Sequence, residues 1–64
     1  MQLKFIGEDG SLRLRNGQVY DVDVLTKLDY IWVCIPDFDL GEVTVTWHCP
    51  YTSPQSFAAN WCKP

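Results

Sequence analysis

Hydrophobic and polar positions alternate with a period of two along most of this chain, the signature of successive short strands with one wet and one dry face. At Tyr30-Ile31-Trp32-Val33-Cys34-Ile35 the alternation gives way to a continuous apolar run, bracketed by Lys27-Leu28-Asp29 and Pro36-Asp37. The run is β-branched and aromatic, so it predicts a central strand with Ile31, Val33 and Ile35 on one face and Tyr30, Trp32 and Cys34 on the other. One face lines the core. The other requires a cover from the same chain, a partner or a ligand.

The flanking segments follow the same logic. Gln2 to Ile6 sets Leu3 and Phe5 against Lys4 and Ile6, and Gly7-Glu8-Asp9-Gly10-Ser11 reads as a polar turn. Leu12-Arg13-Leu14-Arg15 predicts a strand with both leucines on one face and both arginines on the other, ended by the tight-turn dipeptide Asn16-Gly17. Gln18 to Leu25 predicts a longer strand, Tyr20, Val22 and Val24 facing away from Asp21 and Asp23. A turn at residues 26–29 leads into the central strand, and Pro36 to Gly41 reads as a loop. Glu42 to Cys49 alternates Val43, Val45 and Trp47 with Thr44, Thr46 and His48 until Pro50 stops it. Ser53 before Pro54, or Thr52 with Gln55, marks a helix start, and Phe57 and Trp61 are expected on one face of that short helix.

This succession predicts a single mainly β domain over residues 1–64, a small SH3-like five-stranded barrel with a short C-terminal helix. A chain of 64 residues buries only roughly 60% of its unfolded surface, so its 14% aromatic content matters, because a few large rings fill a small core efficiently. A net charge of −3 argues against general DNA binding, which needs a basic face. The apolar runs are too short to span a membrane, and the mixed strand after Met1 is unlike a signal peptide. Cys34, Cys49 and Cys62 have no paired spacing, which predicts reduced thiols and a cytosolic protein, a Cys49–Cys62 bridge being the alternative.

The segments Lys4-Phe5-Ile6-Gly7, Asp9-Gly10-Ser11, Leu14 to Val22, Tyr30-Ile31-Trp32-Val33, Cys49-Pro50-Tyr51, Ser56-Phe57 and Asn60-Trp61 together resemble very short proteins from phages and prophages of Gram-positive bacteria. The resemblance implies a binding protein that works in the host bacterial cytoplasm against a defence or host factor. Short phage proteins with small barrels serve variously as sponges for immune signals or as inhibitors of host enzymes, so the resemblance implies a role of one of these two kinds. A structural phage component is a further alternative.

Catalytic and metal chemistry find little in the residues. His48 and Cys49 are strand neighbours and point to opposite faces, so they do not form a nucleophile and base pair. Asp37-x-Asp39 with Gly41-Glu42 lacks the remaining ligands of a calcium loop, and Asp21 and Asp23, about 6.5–7 Å apart on one strand face, read as solvated carboxylates. His48, Cys49 and Cys62 lack the spacing of a metal site. No enzyme activity, cofactor or metal is expected. The binding reading rests on Arg13 and Arg15, with Lys4 beside them, as a cationic spot for phosphate, and on Tyr30, Trp32, Trp47 and Tyr51 as stacking surfaces for a base. A nucleotide sponge of this kind implies a homo-oligomer. The rival partner is a host defence protein, met through an acidic surface with exposed Trp and Tyr.

Overall fold

The computed structural model describes residues 1–64. Six strands and one short helix follow in order: β1 (Gln2–Phe5), β2 (Val19–Asp21), β3 (Asp23–Lys27), β4 (Tyr30–Asp39), β5 (Thr44–Tyr51), α1 (Pro54–Asn60) and β6 (Trp61–Cys62). They form two three-stranded antiparallel sheets, β2-β1-β6 and β3-β4-β5. The expected mainly β class holds, with six strands in place of five and no ladder closing the sheets into a barrel.

The predicted strand from Gln18 to Leu25 is divided between the sheets. Val22 sits at the corner, 1% exposed, and exchanges hydrogen bonds with Met1: its N–H donates to the Met1 carbonyl at 2.7 Å and its carbonyl accepts from the Met1 ammonium at 2.9 Å. A buried valine with both backbone groups satisfied lets the chain turn from one sheet into the other. The remaining edges, β5 and β6, are joined by α1, which touches both.

Nine buried side chains form the core shared by the sheets: Leu3, Phe5, Leu14, Val22, Val33, Ile35, Cys49, Tyr51 and Trp61. Val33, in the middle of β4 between Val24 and Cys49, is fully buried. Of the two apolar faces of the central strand, the one carrying Ile31, Val33 and Ile35 is therefore the one turned to the core.

Several local expectations are corrected. Residues 12–15 are not a strand: Ser11–Arg13 is a 3-10 turn in which Leu12 and Arg13 take φ of 50° and 64°. Leu14 is fully buried and Leu12 is 42% exposed, so the leucines do not share a face and neither do the arginines as a strand pair. Four residues of alternation are a weak strand signal, and here backbone bonds within residues 8–14 together with the Trp47 indole, which donates to the Leu12 carbonyl at 2.9 Å, satisfy the groups a ladder would have used.

The Pro36 to Gly41 segment is mostly strand. β4 runs on to Asp39 across a bulge, with Pro36 and Asp37 set against Thr46 between the Ile35–Trp47 and Phe38–Val45 pairs. Pro36 is tolerated because β3 ends opposite Cys34, so beyond that point β4 has one neighbour and a free side. Pro50, expected to stop its strand, instead lies within β5 for the same reason, since β5 pairs only with β4.

α1 begins as expected, Ser53 capping through its hydroxyl, which accepts from the Ser56 N–H at 3.1 Å, with Pro54 in the first turn. Trp61 is not helical; it opens β6 in extended conformation, and its ring enters the core edge-on to Phe5 at 5.2 Å.

Candidate functional site: the outer face of β3-β4-β5

The two-residue turn Leu28-Asp29 sets the register of β3 against β4, pairing Lys27 with Tyr30, Leu25 with Trp32, and Asp23 with Cys34. β5 adds Pro50 opposite Trp32, His48 opposite Cys34, and Thr44 opposite Asp39. Because side chains alternate, these residues share the face turned away from the core. It therefore carries successive rows: Lys27 and Tyr30; Leu25, Trp32 and Pro50; Asp23, Cys34 and His48; Asp37 and Thr46 at the bulge; Asp39 and Thr44.

The aromatic end of this face is ordered. The Trp32 indole donates to the Lys27 carbonyl at 3.2 Å, its ring lies 5.8 Å from that of Tyr30, and it meets the His48 ring edge-on at 6.3 Å. Around it Leu25, Lys27, Trp32, Cys34 and His48 line a shallow depression of about 530 Å³. Leu25 and Tyr30 remain 44% and 41% exposed. The outer face of the central strand is thus left open by the chain's own fold.

Nucleophilic chemistry finds no support in the same residues. Cys34 is buried between its neighbours although it lies on the outer face, and burial first, with the Asp23 carboxylate second, pushes its thiol above the ordinary range. A thiol held protonated is a poor nucleophile. Cys49, on the core side of β5, is pushed up to about 11, by burial and then by Cys34. All three cysteines are free, and no group of three His, Cys, Asp or Glu side chains is disposed to hold a metal ion.

The residues expected to bind a ligand are dispersed. Arg13 lies over the Trp47 ring at 5.9 Å, and Trp47 in turn stacks on Phe38 at 5.2 Å and 13°. These contacts, with the bond from the Trp47 indole to the Leu12 carbonyl, tie the 3-10 turn to Trp47 and leave its ring engaged within the chain. Arg15 pairs with Asp9 at 3.5 Å. Lys4 lies in β1 between Val19 and Cys62, in the other sheet. Tyr51 is buried, its hydroxyl taken by the Trp61 indole at 2.8 Å. Of the expected set, Tyr30 and Trp32 come together on the outer face of β3-β4-β5, Arg13 and Trp47 meet elsewhere, and the other three stand apart. Leu25, Lys27 and His48, which complete their surface, were legible only through the strand register.

The chain turns only after β4 ends, Asp39 Oδ1 accepting from the Gly41 N–H at 2.7 Å. No helix is long and apolar enough to cross a membrane. No family model, curated protein or solved structure matches this chain.

Proposed function

We propose that this protein is a non-enzymatic binding module that docks on a host or defence protein through the outer face of β3-β4-β5, with Trp32 as its anchor. The observation that carries the reading is the pre-ordered cluster of half-buried Trp32 with exposed Tyr30 and Leu25 on the outer sheet face. Aromatic anchors in a partly desolvated depression are where binding energy concentrates in protein interfaces, and an anchor already held by a hydrogen bond loses little freedom on docking. The resemblance to short phage proteins supplies the setting, the cytoplasm of an infected bacterium. In the same reading the two sheets, joined at Val22 and sharing one core, are an open variant of the SH3-like barrel.

A nucleotide signal is the second reading. It is favoured by Lys27 standing opposite Tyr30, beside rings on which a base would stack. The dispersal of Arg13, Arg15 and Lys4 weighs against it.

The deciding experiment compares Trp32→Ala with the double variant Arg13→Glu/Arg15→Glu, scoring phage growth in a defended host and calorimetric titration with cyclic and linear nucleotides. Protein docking predicts that Trp32→Ala abolishes the phage benefit, that the arginine variant keeps it and that no nucleotide binds. Nucleotide binding by wild type that is lost in Trp32→Ala would establish the sponge on this face instead.

A further inference from the structure

We infer that the partner of this face is a protein with a basic, nucleic-acid-binding groove. The inference rests on the docking reading above and concerns the chemistry of what docks.

Charge is segregated along the face. Lys27 stands at the Tyr30 end, and beyond Trp32 the carboxylates gather among neutral residues and His48: Asp23 on β3, then Asp37 and Asp39 on β4, with Glu42 in the loop that follows. None of these four carboxylates has an ion-pair partner; the only two ion pairs in the protein are Asp21 with the N-terminal ammonium and Asp9 with Arg15. Asp37, at the bulge, and Asp39 stand two residues apart on β4. Unpaired like charges on a small domain repel one another, so they add nothing to its stability.

A basic partner removes that repulsion. The carboxylates are continuous with the aromatic depression through Asp23, which sits in the row next to Leu25 and Trp32. A groove lined with Lys and Arg to hold a phosphate backbone, and with an apolar floor or edge for bases, presents both complements in one place. A neutral or acidic partner would leave the carboxylate end facing nothing. A second copy would bring its own carboxylates to the interface, with a single lysine per copy to meet them.

The test uses the full chain, immobilised, and the fraction of a bacterial lysate that is retained on heparin. Three forms are compared: wild type, Trp32→Ala, and the triple variant Asp23→Asn/Asp37→Asn/Asp39→Asn. Asn suits the positive φ of Asp37, 53°, and can still accept from Gly41, so the triple variant is expected to fold, as its melt will show. The expected result is a protein held by wild type, displaced by short duplex DNA, and bound about tenfold or more weakly by the triple variant at low salt, with the difference shrinking as salt rises. Trp32→Ala should lose it as well.

A partner that depends on Trp32 but ignores both duplex DNA and the triple substitution would overturn the inference while leaving the docking face intact. Retention of nothing from the heparin-bound fraction would also overturn it. Self-association alone, seen as a dimer in native mass spectrometry and lost in Trp32→Ala, would replace the basic partner with a second copy.

Discussion

The Trp61 indole N–H donates to the Tyr51 hydroxyl at 2.8 Å, and both residues are buried, 3% and 7% exposed. Tyr51 ends β5 and Trp61 begins β6, so this bond joins the two sheet edges that no ladder connects, underneath α1. Tyr51→Phe removes the acceptor and leaves a buried indole N–H unpaired, which costs about 1–3 kcal/mol. The expected outcome is a cooperative melt displaced downward by about 4–8 °C per kcal/mol, with the Trp32 face unchanged. A melt within a degree of wild type would show that the seam is held by ring contacts alone.

Alkaline pH should weaken the fold through Cys49. Its folded pKa of about 11 lies above the ordinary 9.0, so the folded state holds this proton more tightly than the unfolded chain does. The resulting stability is complete below pH 9 and is lost as pH rises towards 11, about 2–3 kcal/mol from this group. Cys34 and Tyr51 are raised by burial and act in the same sense. Urea melts at pH 7, 9 and 10.5 should show the decline, and Cys49→Ala should flatten it. A decline of equal size in that variant would remove Cys49 as its source.

The Leu28-Asp29 turn is built from the wrong residues for its shape. Both have positive φ, 54° and 65°, and Leu28 is 78% exposed. Each non-glycine residue in this region costs about 1–2 kcal/mol, less for Asp, and the turn type favours Asn-Gly. Leu28→Asn/Asp29→Gly should therefore stabilise the protein by about 1–2 kcal/mol. Thermal melts check this. A simultaneous loss of phage benefit, with Trp32 intact, would identify Leu28 as a contact for the partner.

Much of this architecture was legible in the residues, and the failures have identifiable physical causes. The central strand was readable because six consecutive apolar residues, all but Cys34 β-branched or aromatic, leave few alternatives. Ser53 and Pro54 specify a helix start through local chemistry, and they did so here. The strand expected over residues 12–15 failed because it is decided at a distance, by the indole of Trp47 thirty-five positions away and by burial of Leu14 without Leu12. Arg13 and Arg15 were therefore paired on a face that does not exist. The acidic and aromatic surface could be assembled only once Lys27 was known to face Tyr30. A two-residue turn of Leu-Asp is an unusual choice, so the residues alone did not announce that register.

The most direct test of the binding face is photocrosslinking in the infected host, with p-benzoylphenylalanine placed at Leu25 in one variant and at Lys4 in another. Leu25 lies beside Trp32, whereas Lys4 lies in the other sheet. The account predicts a light-dependent adduct to a host protein from position 25, lost when Trp32→Ala is added, and none from position 4. Adducts from position 4 with none from position 25 would contradict it.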